Sequence, residues 1–282
     1  KPLIMAIIID GKKLAAEIIK DLKKEREKIK ESIKLGVVLV GDSASALSFI
    51  KRKKEVAKEL AIDFRVYLYP STIKSKDLRK EVSKICRIPG MKGVVVQLPL
   101  PEKINTPTVL NAVLEDKDPD CLSEKNLAKF YNNRSIIFPP TVAAVDFLLK
   151  KYRVNLKNKN ILIIGAGYLT GKPLAVYFLN QKISFTVLEK DYKNQEKILK
   201  NADIIFSGAG KPNLIKGKSL KKGVIIFDLS FNFYHKKIVG DCEKESVLKK
   251  ASLYSPVPGG IGPLTVAFLY SNLLTLIKNK EA

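Results

Sequence analysis

A lysine occupies the apolar face of a predicted helix in the first third of the chain. Residues 46–60 carry the charge run Lys51-Arg52-Lys53-Lys54, and their apolar residues recur at helical spacing. Lys53 lies in the middle of that face, and Phe49 lies one turn before it. A lysine partly removed from water loses its proton more readily, so Lys53 is a candidate for proton transfer. The alternative is that its side chain follows the apolar surface and keeps its ammonium group in solvent.

Polar side chains also follow an apolar run in the next part of the chain. Gln97 interrupts residues 93–98 directly before Pro99-Leu100-Pro101. This predicts an amide at the carboxyl end of a strand, where ligand sites of parallel α/β proteins gather. Three aspartates follow at alternate positions, and an acidic surface turn is the alternative to a binding role for them. They are Asp116, Asp118 and Asp120.

The stretch Pro256-Val257-Pro258-Gly259-Gly260-Ile261-Gly262-Pro263 combines three prolines with three glycines. Glycine lets a ligand lie against the main chain, and proline removes the backbone freedom that would weaken such a contact. The pattern predicts a rigid binding surface made of backbone. The alternative is a strand-to-helix turn with Pro263 at the first helical position.

A glycine-rich turn joins a predicted strand to a predicted helix in the second half of the chain. Gly165, Gly167 and Gly171 follow the run at residues 161–164 with the spacing G-x-G-x-x-x-G. Such a turn lets a pyrophosphate approach the N-terminus of a helix, so it predicts dinucleotide binding. Glu189, after the next strand, favours a free ribose 2′-hydroxyl, whereas its neighbour Lys190 favours a 2′-phosphate.

Alternating strand and helix patterns must position these residues. They predict an α/β fold with two domains of parallel sheet, the second a Rossmann-like dinucleotide-binding domain, and a cleft between them. Two prolines at residues 139–140 mark the boundary. Strands are predicted at residues 36–40, 64–68, 93–98, 161–164, 184–188, 204–207 and 224–229. Helices are predicted at residues 14–29, 46–60, 78–86, 142–151, 174–179 and 195–201.

Composition limits the class of protein. The chain has 282 residues and a formal net charge of +23, but only seven of its 51 basic residues are arginine, and the lysines are spread along it. We therefore favour a lysine-rich solvated surface over a nucleic-acid interface, and a positive field that suits anionic small molecules. No run approaches the roughly 18 apolar residues of a membrane span, and no signal peptide is seen, so a cytoplasmic protein is expected.

The metal-ligating residue types are too few and too scattered for a metal site. Cys86, Cys121 and Cys242 lie far apart, and His235 is the one histidine. This distribution predicts reduced cysteines and argues against a disulfide framework, a zinc site or a histidine cluster.

Five motifs in order resemble those of the bifunctional methylenetetrahydrofolate dehydrogenase/methenyltetrahydrofolate cyclohydrolase family. The first motif is Val40-Gly41 with Ser45, Phe49 and Lys53. The others are Val96 through Pro101, Asp116 through Asp120, Gly165 through Pro173, and Pro256 through Thr265. The resemblance runs from about Ile9 to the last helix. It implies a folate-binding catalytic domain at residues 1–139, a Rossmann-like NAD(P)-binding domain at residues 140–262, and a C-terminal helix at residues 263–282 that packs back on the first domain.

The resemblance also implies roles for particular residues. Lys53 would be the residue that transfers the proton, and Gln97 would tune this lysine by hydrogen bonding. Asp120 would hold the pterin ring. Substrate-binding residues would be Phe49, Val96, Leu98, Pro258, Gly259, Gly260, Ile261 and Gly262. Cofactor-binding residues would be Gly165, Ala166, Gly167, Lys190, Phe231 and Thr265, with NADP as the cofactor and NAD as the alternative.

The implied activity is oxidation of 5,10-methylenetetrahydrofolate to the methenyl compound and hydrolysis of that compound to 10-formyltetrahydrofolate. The partners implied are tetrahydrofolate derivatives and a second copy of the chain in a homodimer, without nucleic acid or membrane. Alternatives are a member of the family with weak cyclohydrolase activity, a two-domain dehydrogenase of another small substrate, and a basic nucleic-acid-binding protein.

The chain departs from the family pattern at several positions. Phe49 replaces a tyrosine, so it can stack on a flat ring but cannot donate a hydrogen bond. Val142 replaces a proline, and Cys121 and Ser230 replace glycines. Lys190 replaces the serine or arginine often found after the second strand of the dinucleotide domain. The missing hydroxyl at Phe49 is the reason for considering a family member with weak cyclohydrolase activity.

Overall fold

The structure is a computed structural model that describes residues 6–189, 191–193, 195–234 and 237–281. Lys190 and His235 therefore lie outside the described residues. The chain divides into two compact units. Unit A comprises Ala16–Pro140 with the described residues of Val266–Ala282, and unit B comprises Thr141–Thr265 with the described residues of Lys1–Ala15.

Unit A is built on a three-stranded parallel sheet in the order β3-β2-β4. The strands are β2 (Lys34–Val40), β3 (Asp63–Tyr69) and β4 (Met91–Val96). The helices are α1 (Gly11–Glu27), which enters unit A at Ala16, α2 (Ala44–Glu59), α3 (Ser75–Cys86), α4 (Thr106–Leu110) and α5 (Glu124–Tyr131). The central strand β2 is almost entirely buried because it has a neighbour on each edge and reads as an unbroken apolar run.

The last helix, α10 (Ile261–Glu281), contributes its residues from Val266 onward to unit A. It packs against β4, where a Cβ added at Gly93 would lie 2.7 Å from Leu273 Cδ1. Asn272 Nδ2 donates to the carbonyl oxygens of Pro119 (2.8 Å) and Phe138 (2.7 Å). The helix is therefore tied to the segment that carries the three aspartates.

Unit B contains a six-stranded parallel sheet in the order β1-β11-β8-β7-β5-β6 and an antiparallel hairpin, β9–β10. The sheet strands are β1 (Ile7–Ile8), β5 (Ile161–Ile164), β6 (Thr186–Leu188), β7 (Ile204–Ser207), β8 (Val224–Asp228) and β11 (Ala251–Ser255). The hairpin strands are β9 (Asn232–Tyr234) and β10 (Lys237–Val239). The helices are α6 (Pro140–Lys151), α7 (Gly171–Asn180), α8 (Gln195–Asn201) and α9 (Lys244–Leu248).

The connection of the strands in unit B creates a topological switch point. β6 pairs with β5 along one edge of that strand. The chain then crosses back to β7, which pairs with β5 along its other edge. Loops that leave the carboxyl ends of β5 and β7 therefore diverge, and ligands of doubly wound sheets bind in the crevice that such loops leave.

The predicted α/β fold with parallel sheets is confirmed, and every strand predicted from the sequence is present within a few residues. The structure differs from the predictions in two respects. Residues 6–15 group with unit B and not with the predicted first domain, because β1 pairs in parallel with β11. The strands β1 and β11 and the hairpin were not predicted. β1 has two residues and the hairpin strands have three each, whereas β11 carries two serines among its five residues and does not form an apolar run.

Helix α10 contradicts the expectation that no apolar run approaches the length of a membrane span. Within the described residues, Ile261–Lys280 in α10 is long and apolar enough to cross a membrane. However, 61% of its most apolar window is buried inside the protein. A core helix meets the same criterion of length and composition, and burial of this extent is the environment of a core helix.

Candidate active site

Lys53 points into unit A. Helix α2 begins after Ser43, whose Oγ accepts a hydrogen bond from the Ala46 amide (3.3 Å) and so caps the first turn. Lys53 is only 9% exposed, whereas Lys51 and Lys54 on the same helix are exposed. The structure therefore favours the inward orientation over one that places the ammonium group in solvent.

A buried hydrogen bond joins Lys53 to Gln97, just after β4. Lys53 Nζ donates to Gln97 Oε1 at 3.0 Å, and both side chains are buried. Gln97 Nε2 donates to the Leu98 carbonyl oxygen (2.9 Å), so the amide group is held with Oε1 toward the lysine. On the other side, the Tyr270 hydroxyl donates to the Lys53 carbonyl oxygen at 2.6 Å and anchors the helix at this residue.

Asp120 interacts electrostatically with the lysine of this pair. Burial raises the pKa of Asp120 to about 6; the charge of Lys53 acts to lower the pKa, and that of Asp118 acts to raise it further. Burial likewise lowers the pKa of Lys53, and the charge of Asp120 opposes this shift. Both groups are thus displaced toward the range in which they exchange protons near neutral pH.

The three aspartates have different environments. Asp116 forms an exposed ion pair with Lys280 (2.6 Å), which fits the acidic surface turn considered for this segment. Asp118 is buried, and its Oδ2 accepts hydrogen bonds from the amides of Leu122 (3.0 Å) and Ser123 (2.8 Å), so its role is to hold the turn. Asp120 is the one of the three that is coupled to Lys53.

The apolar candidates of unit A lie on the same two elements as the polar pair. Phe49 is half-buried and precedes Lys53 by one turn of α2. Val96 is the last residue of β4 and is buried, and Leu98 is half-buried against the apolar core of the unit. Unit A therefore presents an aromatic ring and aliphatic side chains on the elements that carry the buried Lys53 and Gln97.

The proline- and glycine-rich loop lies in unit B, between β11 and α10. The Gly260 amide donates to the Pro256 carbonyl oxygen (2.8 Å), and the Gly11 amide donates to the Gly259 carbonyl oxygen (2.9 Å). Gly259 has a φ of +97°, which favours glycine. Helix α10 begins at Ile261 and not at Pro263, so the simple turn with Pro263 as first helical residue is wrong.

The first glycine-rich turn of unit B has the geometry of a dinucleotide turn. Gly165 follows β5 with a φ of +83°. A Cβ added at Gly171, the first residue of α7, would lie 1.8 Å from the Gly165 carbonyl oxygen, so helix and turn are in close contact. Within the described part of the chain, the amides of Ala166 and Gly167 have no hydrogen-bond acceptor. These amides are available to an anion at the start of α7.

A second turn, which was not predicted from the sequence, lies at the switch point in residues 207–211 after β7. A Cβ added at Gly165 would lie 2.7 Å from the Gly208 carbonyl oxygen and 2.8 Å from Ala209 Cα. The two turns therefore touch. The signal was present as Ser207-Gly208-Ala209-Gly210 at the end of a predicted strand, a cluster of small residues that allows close backbone approach.

The remaining cofactor candidates are dispersed in unit B. Phe231 precedes the hairpin, and its ring contacts that of Phe233 edge to face with centroids 5.7 Å apart. Thr265 Oγ1 donates to the Gly262 carbonyl oxygen (2.7 Å) within α10, so its proton is engaged by its own helix. Glu189 is exposed just beyond β6, and Lys190 lies outside the described residues.

Comparisons with known proteins agree with these features. The sequence model of the tetrahydrofolate dehydrogenase/cyclohydrolase catalytic domain matches residues 9–120, and that of the NAD(P)-binding domain of the same family matches residues 139–281. The bifunctional protein FolD of Lactobacillus delbrueckii subsp. bulgaricus is 34% identical over 280 residues, which cover 98% of this chain and 99% of the relative.

Solved structures of whole enzymes are similar over the full chain. The bifunctional enzyme FolD, a methylenetetrahydrofolate dehydrogenase/cyclohydrolase from Campylobacter jejuni, has a TM-score of 0.91 at 33% identity and covers 98% of this chain and 99% of its own. The Trypanosoma brucei enzyme complexed with NADP cofactor and inhibitor has a TM-score of 0.92 at 28% identity, covering 100% and 99%. The chain therefore belongs to the tetrahydrofolate dehydrogenase/cyclohydrolase family.

Proposed function

We propose that this chain oxidises 5,10-methylenetetrahydrofolate to 5,10-methenyltetrahydrofolate with NADP and hydrolyses the product to 10-formyltetrahydrofolate. The observation that carries the proposal is the buried contact between Lys53 and Gln97, with Asp120 coupled to it, in a member of this family. NADP supplies the hydride acceptor for the first step. That step needs orientation more than an acid or base, because the hydride leaves the methylene carbon directly.

Unit B fits a dinucleotide. The amides of Ala166 and Gly167 are available at the start of α7, and a Cβ at Gly167 would meet nothing nearer than Thr170 Oγ1 at 3.4 Å. The space that a side chain at this position would occupy is therefore left open by the protein. A pyrophosphate that approaches the backbone closely requires such an open space. We propose that Gly165, Ala166 and Gly167 bind the pyrophosphate, and that Phe231 and Thr265 contribute to the same pocket.

The second step uses the lysine as a proton carrier. Water attacks the carbon of the methenyl cation, and neutral Lys53 Nζ accepts the proton that the water loses. The lysine returns this proton to N5 as the bond between that carbon and N5 breaks, and the hydroxyl proton leaves to solvent, so that one proton is released overall. Gln97 holds Nζ in place through the hydrogen bond at 3.0 Å.

The folate-binding residues follow from the resemblance and from their surroundings in each unit. We propose that Phe49 stacks on the pterin and that Val96 and Leu98 contact its apolar edge. The backbone of Pro258, Gly259, Gly260, Ile261 and Gly262 is proposed to contact the same ligand. Asp120 is proposed to accept hydrogen bonds from pterin nitrogen atoms through both carboxylate oxygens, which requires its ionised form.

Asp120 should make folate affinity depend on pH. Since its pKa is raised to about 6, protonation below this value removes the charge, and we expect folate affinity to fall about tenfold between pH 7 and pH 5. Titration of a folate analogue at each pH measures the effect. Asp120→Asn should abolish the pH dependence, whereas Asp116→Asn on the same turn should retain it; a dependence that survives Asp120→Asn would contradict the role.

The same shift has the opposite effect on stability. Folding raises the pKa of Asp120 above its ordinary value of 3.8, so the folded state binds the proton more tightly than the unfolded chain. The stabilisation by this group is present below about pH 4 and is lost as the pH rises through about 6. Folate affinity and the contribution of Asp120 to the free energy of unfolding should therefore change in opposite directions over this interval.

Phe49 distinguishes a full bifunctional enzyme from one with weak cyclohydrolase activity. If stacking is the property required, Phe49→Ala should raise the Michaelis constant for folate by about five- to tenfold, the order of 1–1.5 kcal/mol for an aromatic contact, and Phe49→Tyr should leave it similar. Both rates are measured with each variant. A hundredfold rise of the cyclohydrolase rate in Phe49→Tyr would show that the chain is mainly a dehydrogenase.

Cofactor choice depends on two neighbouring residues of opposite charge. Lys190 is proposed to meet the 2′-phosphate of NADP, whereas Glu189 favours the free hydroxyl of NAD. We expect Lys190→Ala to weaken NADP binding by about 1–2 kcal/mol, as for one charge-assisted contact, and to leave NAD binding almost unchanged. Preference of the wild type for NAD, or equal losses for both cofactors, would contradict the choice of NADP.

The direct test of the proposed function is the absorbance of reduced nicotinamide. The full chain is mixed with methylenetetrahydrofolate and each oxidised cofactor in turn, and the disappearance of the methenyl compound is followed separately. We expect reduction of NADP and hydrolysis by the same protein. A salt-dependent shift of duplex DNA without folate-dependent turnover would instead support the nucleic-acid alternative.

Assembly and location are also proposals. We propose a cytoplasmic homodimer, on the resemblance to the family. Sedimentation of the full chain at micromolar concentration tests the dimer, and a monomer under these conditions would contradict it.

A further inference from the structure

Two carboxylates at the carboxyl edge of the sheet in unit B have no part in the chemistry described above. Asp228 ends β8, and Asp241 follows β10, thirteen residues later along the chain. Both side chains are fully buried. Buried carboxylates persist only where donors compensate for lost hydration, so their partners indicate what they hold in place.

Asp228 closes the base of the hairpin β9–β10. Its Oδ1 accepts from the Asp241 amide at 3.1 Å, and its Oδ2 accepts from the Cys242 amide at 2.9 Å. A Cβ added at Gly240 would lie 2.0 Å from Asp228 Oδ2, so the chain passes directly over the carboxylate at a glycine. The backbone of Asp241 is thus held by Asp228.

Asp241 in turn reaches the turn at residues 207–211. Its Oδ2 accepts from Ser207 Oγ (2.6 Å) and from the Ala209 amide (2.8 Å). Its Oδ1 accepts from the Lys211 amide (2.8 Å) and from Asn232 Nδ2 (3.4 Å). Donors face both oxygens, an arrangement that a carboxylate satisfies and an amide cannot, because the amide presents an acceptor on one side only.

Ser230 completes the set of contacts to this turn. Its Oγ accepts from the Gly210 amide at 3.1 Å, between the two amides that Asp241 takes up. A glycine, which the family pattern has at this position, offers no such acceptor. The amides of three successive residues of the turn are therefore held by two side chains.

We propose that Asp241 and Ser230 are positioning residues that hold residues 207–211 against the dinucleotide turn and thereby set the affinity for the cofactor. The inference rests on the proposed function. The turn borders Gly165 so closely that a shift of Gly208 or Ala209 changes the space beside the dinucleotide turn. Neither positioning residue is placed against the folate.

The test compares two variants by titration of NADP, by hydrolysis of the methenyl compound without cofactor, and by thermal unfolding. We expect Asp241→Asn to raise the Kd for NADP by about tenfold or more, and Ser230→Ala to raise it by about threefold, the order of one charged and one neutral hydrogen bond. Hydrolysis without cofactor should stay within about twofold of wild type, because it does not need unit B to bind a nucleotide.

Two matched controls remove similar hydrogen bonds elsewhere in unit B. Asp203 accepts from the Asn160 amide (2.7 Å) at the amino ends of β7 and β5, and Ser246 Oγ accepts from the Gly217 amide (2.9 Å). Asp203→Asn and Ser246→Ala should change the melting temperature while leaving the Kd for NADP within about twofold of wild type.

The outcomes separate this inference from the proposed function. A wild type that binds and reduces NADP, with an unchanged Kd in both variants, overturns the inference alone. A parallel rise of the Kd in the two controls also overturns it, since the effect would then follow stability. Absence of folate-dependent NADP reduction in wild type would overturn the proposed function itself. If Asp241→Asn does not fold, Ser230→Ala and Ser246→Ala decide the question.

Discussion

Lys53→Met should abolish hydrolysis of the methenyl compound, with a loss of at least about a hundredfold, the lower end of what positioned proton transfer contributes. The physical reason is that Lys53 Nζ, buried and held on Gln97, is the proposed proton carrier, and methionine fills a similar volume without a titratable group. The rate of hydrolysis is followed by the loss of methenyl absorbance. Oxidation of the methylene compound should fall less, because hydride transfer does not pass through the lysine.

Lys51→Met is the matched control on the same helix. Lys51 is exposed, so its substitution should leave hydrolysis within about twofold. The folded state of Lys53→Met loses the partner of Gln97 Oε1, at about 1–3 kcal/mol, but no longer buries an ammonium group, so stability should change little. Equal losses of activity in the two variants at equal stability would contradict the assignment.

Gly167→Ala should weaken cofactor binding without disturbing the fold. A Cβ at Gly167 would have Thr170 Oγ1 as its nearest neighbour at 3.4 Å, an ordinary contact, so the melting temperature should be unchanged. The methyl group would stand where the pyrophosphate is proposed to approach the backbone, and we expect the Kd for NADP to rise by at least about tenfold. Hydrolysis of the methenyl compound, measured without cofactor, should persist.

Gly171→Ala separates binding from folding in the same motif. Here a Cβ would lie 1.8 Å from the Gly165 carbonyl oxygen, so the start of α7 must move and the melting temperature should fall. The two variants together test whether the glycines have the distinct functions proposed. Loss of stability in Gly167→Ala comparable to that in Gly171→Ala would contradict a role for Gly167 in binding alone.

Local sequence patterns predicted a structural feature where residue polarity repeats within one helix or strand. The pattern placed Lys53 among apolar residues at helical spacing, and most strands of the two parallel sheets were predicted as apolar runs, because burial within a sheet removes polar residues. The dinucleotide turn was visible because glycine is required where the backbone bends sharply and touches a helix.

The short elements were not predictable in this way. β1 has two residues and is a strand only because β11 lies beside it, and residues 6–15 join unit B for this reason. Apolar composition likewise did not distinguish a core helix from a membrane span. α10 is as apolar as a membrane span, and its burial within the protein depends on what packs around it. Sequence patterns report polarity, and they do not report which surface covers an apolar residue.

The sequence by itself determined the α/β class, the order of the longer elements and the family, since these depend on residue types that recur or stand close together. Only the tertiary structure decided that Gln97 holds Lys53 across 44 residues of chain and that Asp120, and neither Asp116 nor Asp118, is coupled to that lysine. It also decided that Asp241 holds the turn after β7. The reason is that hydrogen bonds and pKa shifts depend on distance and burial, which residues far apart in sequence acquire only when the chain has folded.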